Sequence, residues 1–256
     1  MASEELLSRR ELEIINKRTL KYPLNYAEKD YLLAVVSKLI AGSVLGKKLV
    51  FKGGTAIHHC YLPQTRFSED LDFTSLDNAI NIADVKAVLE TQDYLVVAEE
   101  YVSKATIKIK RLKYNGPLGQ PNSLKVEIDF IQNVVLPAKK VEYRNAWGVK
   151  TKVNAMDPQE ICAEKIRAAS GRARYRDFYD LHLMLKKYGY DIEELIELLK
   201  KKEIREDITS KSIMDNWQVA RQASSKDADM VFYSITIPDE EIVTTLKRIK
   251  VNIKKK

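Results

Sequence analysis

Two short stretches of the sequence decide the fold, Phe51–Ala56 (FKGGTA) and Arg66–Phe73 (RFSEDLDF). In the first, an apolar run predicted to be a strand leads into Gly53-Gly54, and a helical pattern follows. Without a Cβ, backbone N–H groups can approach a phosphate closely, and a helix that begins there aims its N-terminus at the same anion. A Gly-Gly pair alone is typical of a plain tight turn, so the phosphate interpretation depends on the second stretch.

The second stretch places two carboxylates, Asp70 and Asp72, two positions apart on a predicted strand. Side chains at i and i+2 of a strand face the same way, with Leu71 and Phe73 anchoring the other face. Two neighbouring carboxylates are costly unless a cation lies between them. Oxygen ligands suit Mg²⁺ or Mn²⁺, which bind one or two carboxylates together with substrate phosphates. A lone pair of this kind is common on solvated strands, but the preceding Gly-Gly-Thr turn makes a metal site a specific prediction.

A third carboxylate is predicted on the strand over residues 124–131. Its alternation places apolar side chains on the core face and Glu127 and Asp129 on the other. Either acid beside Asp70 and Asp72 would complete a site for metal-assisted phosphoryl transfer. The alternative interpretation is an ordinary half-exposed strand.

Basic residues are concentrated in two regions. Residues 104–113 contain five Lys/Arg and no acid, which fits either an edge strand guarded by lysines or a track for a nucleic-acid backbone. Residues 165–187 contain seven Lys/Arg and the two acids Asp177 and Asp180, one helical turn apart. A solvated helix face or partly buried ion pairs are both compatible with that pattern.

The periodicity of the chain changes near residues 154–157. Helical patterns cover 5–19, 26–45 (with Asn25 as N-cap) and 82–91, strands are predicted at 48–51, 70–73 and 124–131, and a turn at 115–122 suggests an antiparallel hairpin. Helices are predicted at 158–170, 175–188 and 191–202, and residues 206–256 are predicted to be mostly helical. We therefore expect an α+β fold with two domains, 1–155 and 156–256.

Composition excludes several classes of protein. With 45% apolar and 31% charged residues among 256, most of the chain is not disordered. Cys60 and Cys162 lie far apart and form no CxxC motif, which favours a reducing, cytoplasmic compartment. The longest apolar stretch, 31–46, is interrupted by Lys38 and is too short for a membrane span. The net charge of +7 permits a phosphate-bearing partner.

The two deciding stretches, together with Ala163–Ile166 (AEKI) and Arg176–Leu181 (RDFYDL), resemble the AbiEii/AbiGii toxin family of nucleotidyltransferases (MenA/MenT-like). These blocks span roughly residues 48–185, and their order and spacing are more specific than any single block. The resemblance implies a DNA polymerase β-like nucleotidyltransferase core, with a mixed or antiparallel sheet and flanking helices, followed by a helical C-terminal part.

The resemblance also implies roles for individual residues. Gly53, Gly54 and Thr55 would hold the triphosphate, Ser68, Asp70 and Asp72 would form the metal-binding strand, Lys165 would neutralise the triphosphate, and Asp180 would fix Lys165 or take part in proton transfer. Asp177 competes with Asp180 for the last role. We assign the third metal-binding carboxylate to Asp129, with Glu127 as its competitor.

The activity implied by the resemblance is transfer of NMP from an NTP, with Mg²⁺ (or Mn²⁺), to an RNA acceptor, the 3′ end of tRNA. A cognate antitoxin is an implied partner, and a membrane is not. One alternative is a small-molecule nucleotidyltransferase, although a cationic acceptor would need acidic walls. Another is a non-catalytic RNA- or protein-binding module of the same fold, which Mg-NTP would not stabilise.

Overall fold

The computed structural model describes residues 5–224 and 232–255. The chain divides into two compact units, Met1–Gln132 with Ala138–Ala155, and Asn133–Pro137 with Met156–Lys256. Within the described ranges, no helix is both long and apolar enough to span a membrane.

The described part of the first unit contains four α-helices, a short 3-10 helix (Val44–Lys47) and a seven-stranded sheet. Its helices are α1 (Arg9–Arg18), α2 (Leu24–Gly42), α3 (Gly53–Ala56), which continues as a π-helical turn (Ile57–Tyr61), and α4 (Ile82–Leu89). Its strands are β1 (Leu49–Lys52), β2 (Asp70–Ser75), β3 (Leu95–Val102), β4 (Thr106–Tyr114), β5 (Asn122–Asp129), β6 (Lys139–Glu142) and β7 (Lys152–Ala155).

The order of strands in this sheet is β3-β4-β5-β2-β1-β7-β6. The β2/β5 and β1/β7 pairs are parallel and the other four pairs are antiparallel. Helix α2 packs on β2, β5 and β7 and is buried around most of its circumference, so it forms the centre of the first unit. Strands β1, β2 and β5 are neighbours in the middle of the sheet, and they carry the sequence motifs.

The second unit is mainly helical. It contains α5 (Pro158–Gly171), α6 (Tyr175–Tyr188), α7 (Ile192–Lys200), α8 (Ser210–Ser224) and α9 (Asp239–Arg248), with a two-stranded ribbon of β8 (Ile208–Thr209) and β9 (Asn252–Ile253). Helix α5 packs on α6, α7 and α8. Asp157 caps the start of α5 by accepting a hydrogen bond from the N–H of Gln159, and α6 ends at Gly189 in the left-handed conformation, with φ +62°.

The predicted α+β class, with a mixed sheet and flanking helices, is confirmed. The predicted hairpin is formed by β4 and β5, which pair antiparallel around residues 115–121. Asn25 is not the N-cap of α2, because the helix already begins at Leu24 and Pro23 precedes it. The short strands β6 and β7 were not predicted. The helical prediction for 206–256 holds for α8 and α9, misses β8 and β9, and partly lies outside the described residues, at 225–231 and 256.

Candidate active site

The Gly-Gly turn joins β1 directly to α3, and its first glycine lies against an acidic side chain. Gly53 has φ +77°, a conformation that side chains with a Cβ rarely adopt. A Cβ at this position would lie 2.5 Å from Oδ2 of Asp72 and 3.2 Å from its Cβ. Any other residue at this position would therefore be strained in its backbone, and its Cβ would displace the carboxylate of Asp72.

The second glycine makes an equally close approach to two polar side chains. A Cβ on Gly54 would collide with the guanidinium group of Arg66 and would lie 3.0 Å from Oγ of Ser68. Arg66 is only 1% exposed, and its Nη1 donates to the backbone carbonyl of Phe67 at 2.9 Å. The turn is thus bordered by a buried cation and a hydroxyl, groups that can donate hydrogen bonds to an anion.

Thr55 connects the turn to the start of β2. Its hydroxyl lies 2.9 Å from Oγ of Ser68 and within hydrogen-bond distance of the backbone carbonyl of Asp70. The carbonyl oxygen can only accept, so the single hydroxyl proton of Thr55 goes to Asp70, and Ser68 then donates to Thr55. Because Thr55 is 1% exposed, its main contribution is to hold the Ser68 side chain and the Asp70 backbone in place.

The two carboxylates of β2 lie on one side of the sheet, as predicted. Asp70 and Asp72 are half-buried, whereas Leu71 and Phe73 are buried on the opposite side. Across the antiparallel pair, Asp72 lies opposite Lys52 of β1. Two carboxylates side by side form the kind of oxygen donor set that Mg²⁺ uses together with phosphates, so this pair fits a divalent cation.

The two candidates for the third carboxylate lie on β5, parallel to β2. Glu127 is the register partner of Asp72, but its carboxylate pairs with Lys108 at 2.9 Å on a well-exposed part of the surface. Asp129 is opposite Thr74, and its Oδ2 lies 3.5 Å from Nζ of Lys52. Asp129, rather than Glu127, therefore pairs with Lys52, which lies opposite Asp72 on β1.

The carboxylates are not drawn together as a complete metal site. Among residues 5–224 and 232–255, no group of three or more His, Cys, Asp or Glu is arranged to hold a metal ion. Asp70 and Asp72 are a pair on one strand, while Asp129 is engaged by Lys52. Its Oδ1 also accepts hydrogen bonds from the backbone N–H groups of residues 131 and 132.

In the second unit, Lys165 of α5 is buried between two acids of α6. Its Nζ lies 2.8 Å from Oδ1 of Asp177 and 2.7 Å from Oδ2 of Asp180. Arg172 also donates to Asp177, through Nε at 2.7 Å and Nη2 at 3.3 Å. Burial would raise the pKa of Asp177, but the charges of Lys165 and Arg172 outweigh it, so the pKa falls well below its ordinary value. Both acids therefore hold Lys165, and the predicted choice between them is not exclusive.

Sequence reasoning overlooked three of the cations in these two clusters. Lys52 and Arg66 stand inside the quoted motifs, yet neither was given a role, since neither spacing nor periodicity shows which acid a long side chain reaches. Arg172 was counted among the basic residues of 165–187, and the structure bonds it to Asp177, as expected for the ion-pair interpretation of that region.

The basic region 104–113 does not form an edge strand, which was one of its two interpretations. Residues Thr106–Tyr114 form β4, which lies between β3 and β5 and so is not an edge strand. Lys108 pairs with Glu127, and Lys110 pairs with Glu99 at 3.2 Å. Part of the positive charge of this strand is therefore already balanced by neighbouring acids.

Comparison with known proteins gives the family of this chain. The model of the family described as nucleotidyl transferase AbiEii toxin of a type IV toxin–antitoxin system matches residues 36–248. This stretch is longer than the one covered by the motifs. It includes both the glycine turn with Asp70 and Asp72 and the ion pairs of Lys165. No curated protein matches the chain.

Several solved structures are similar to this chain. MenT4, a nucleotidyltransferase toxin from Mycobacterium tuberculosis H37Rv, is 21% identical with a TM-score of 0.66, covering 95% of this chain and 88% of that one. An antigenic nucleotidyltransferase-like protein from Paracoccidioides brasiliensis is 16% identical with a TM-score of 0.44, covering 77% of this chain and 91% of that one. The likeness to MenT4 shows that the fold is that of a nucleotidyltransferase, and the family match shows that this chain belongs to the AbiEii nucleotidyltransferase toxins of type IV toxin–antitoxin systems.

Proposed function

We propose that this protein transfers NMP from an NTP to an RNA acceptor, the 3′ end of tRNA, in a reaction that depends on Mg²⁺ (or Mn²⁺). The observation that carries the proposal is the pair Asp70 and Asp72 beside the Gly53-Gly54 turn. A glycine turn whose backbone N–H groups can bind phosphate and two adjacent oxygen ligands for a divalent cation are both features that NTP chemistry uses. Membership of the toxin family supports the activity and implies a cognate antitoxin as a partner.

The metal-binding residues in this proposal are Asp70, Asp72 and Asp129. A divalent cation bound there supplies charge stabilisation at the α-phosphate and the pyrophosphate leaving group. The protein determines where this cation would bind. Thr55 holds the backbone at Asp70, and Gly53 packs closely against the side chain of Asp72. Ser68 presents a hydroxyl at the same turn, and in this proposal its proton turns from Thr55 to the phosphate, which the N–H groups of Gly53 and Gly54 also bind.

As an alternative to binding the metal, Asp129 accepts the proton of the acceptor hydroxyl. Its Oδ1 is held by two backbone N–H groups, and its Oδ2 can exchange Lys52 for another partner. Glu127 remains the competitor for this role. In the second unit, Asp177 and Asp180 orient the ammonium group of Lys165, and we assign to Lys165 the neutralisation of triphosphate charge.

The choice of an RNA acceptor rests on charge. Lys104, Arg111 and Lys113 are exposed on β4 and its preceding turn, beside the lysines that pair with acids, and the whole chain carries +7. An anionic backbone is favoured by such a surface, whereas a cationic small molecule is not.

The test is incubation of the purified protein with total tRNA, Mg²⁺ and each α-labelled NTP separately, alongside Asp70→Asn. Label on tRNA from one NTP, absent with the variant, would support the reaction and identify its nucleotide. Label that appears only in a small-molecule fraction would replace the RNA acceptor by the alternative function.

A separate measurement distinguishes an enzyme from a binding module. In a thermal shift assay, Mg-NTP should raise the melting temperature of the wild type and have less effect on Asp70→Asn. Absence of label with every NTP, together with absence of a shift, would favour a non-catalytic module of the same fold.

A further inference from the structure

Lys52 lies among the acids of the proposed metal site. It is the last residue of β1, it faces Asp72 across the strand pair, and its Nζ is 3.5 Å from Oδ2 of Asp129. The side chain of Lys52 is 11% exposed and that of Asp129 is 27% exposed. An ammonium group held at such low exposure beside a carboxylate is a strong local charge, since the surroundings screen it less than open water does.

We propose that Lys52 is an internal counter-ion that competes with the divalent cation for Asp129. The inference rests on the proposed function, in which Asp70, Asp72 and Asp129 bind that cation. Neighbouring carboxylates repel one another when they are charged, and a cation nearby lowers the cost of holding them on neighbouring strands. With one ammonium group present, the remaining charge of the set equals the charge that a divalent ion neutralises.

The geometry of Asp129 permits such an exchange without a change in the backbone. Its Oδ1 accepts hydrogen bonds from the N–H groups of Ile131 at 2.8 Å and Gln132 at 3.1 Å. The carboxylate is therefore held in place on one side, whatever its other oxygen binds. Lys52 contacts Oδ2 through a flexible four-carbon stem, so its ammonium group can move while Asp129 stays fixed.

The neighbouring lysine–acid pair lacks these properties. Lys108 and Glu127 are 40% and 43% exposed, so water screens their attraction and the pair has little influence on a cation elsewhere. Lys52 is a positioning residue in this scheme. It occupies Oδ2 of Asp129 before the cation binds, and it lowers the affinity of the free site for the cation.

Calorimetric titration of the full chain with Mn²⁺ alone, without nucleotide, tests the inference. Lys52→Met removes the charge and keeps the length of the stem, and we expect it to bind Mn²⁺ roughly tenfold or more tightly than the wild type. Lys52→Arg keeps the charge and should show no such gain. Lys48→Met is the matched control, because Lys48 pairs with Asp77 on a more exposed part of the same unit and its loss changes the net charge equally.

A double variant tests whether Lys52 and the cation compete for Asp129 itself. In an Asp129→Asn background, Lys52→Met should lose most of its gain in affinity, since the contested carboxylate is gone. An unchanged or weaker affinity in Lys52→Met would overturn the inference, and so would a gain that persists in full in the Asp129→Asn background. Melting temperatures of all variants establish that each one is folded.

The inference and the proposed function fail in different ways. If the wild type labels RNA in a metal-dependent reaction while Lys52→Met shows no gain in Mn²⁺ affinity, only the role of Lys52 is wrong. If neither the wild type nor Lys52→Met binds Mn²⁺ and no labelling occurs, the proposed metal site is wrong and the role of Lys52 falls with it.

Discussion

Lys165 and Asp180 form a buried ion pair of 2.7 Å between α5 and α6. The side chain of Asp180 is completely buried and that of Lys165 is 9% exposed. Asp177 adds a second carboxylate at 2.8 Å from the same ammonium group. The second unit therefore holds a single lysine in one orientation by two acids, at the cost of removing three charges from water.

Asp180→Asn should destabilise the second unit strongly. Removing one partner of a buried ion pair costs about 3–5 kcal/mol, and we expect about 3 kcal/mol because Lys165 keeps Asp177. Urea unfolding measures the change in the free energy of unfolding. The matched control is Asp215→Asn, which breaks an exposed pair with Lys211 on α8 and should cost less than about 1 kcal/mol. Equal effects of the two substitutions would contradict the buried role of Asp180.

The lowered pKa of Asp177 predicts how the free energy of unfolding changes in acid. Its pKa in the folded protein lies well below its ordinary value, so the folded state binds the proton less tightly than the unfolded state. The stabilisation by Asp177 is fully present above the unfolded pKa of about 3.9 and is lost as the pH falls from there towards the folded pKa. Asp177→Asn should therefore lose less stability than the wild type as the pH falls from about 4 to about 2. Denaturant unfolding at a series of pH values tests this, and parallel curves would contradict it.

The motifs allowed the central part of the fold and most of the candidate residues to be predicted. Strand alternation identified the side of β2 that carries Asp70 and Asp72, because burial on one face leaves a period of two in the sequence. Strand β6 is short and mostly exposed, so it leaves no such period. The pairs that Lys52 forms with Asp129 and Lys165 with Asp177 depend on side-chain reach across elements, which single-sequence patterns do not contain.

Gly53→Ala should impair the site more than its backbone strain explains. The φ of +77° disfavours alanine, and the added Cβ would lie 2.5 Å from Oδ2 of Asp72. Gly119 has φ +65° with nothing within 4 Å of an added Cβ, so Gly119→Ala carries the strain without the collision. Both substitutions should cost about 1 kcal/mol or more in stability. Only Gly53→Ala should also weaken Mn²⁺ binding and NMP transfer, and similar transfer rates in the two variants would show that Asp72 is not displaced.

Asp70→Asn separates function from stability in the first unit. If Asp70 and Asp72 bind the catalytic cation, loss of one ligand charge should lower NMP transfer by about 100-fold or more and weaken Mn²⁺ binding.

The same substitution relieves the repulsion between two neighbouring carboxylates in the metal-free protein. We therefore expect its melting temperature without metal to equal or exceed that of the wild type. Asp77→Asn is the control, since Asp77 is an acid of the same unit that pairs with Lys48 at 2.8 Å and has no assigned role in transfer. A large loss of metal-free stability in Asp70→Asn would mean that its carboxylate is needed for folding, and full activity would exclude it from the metal site.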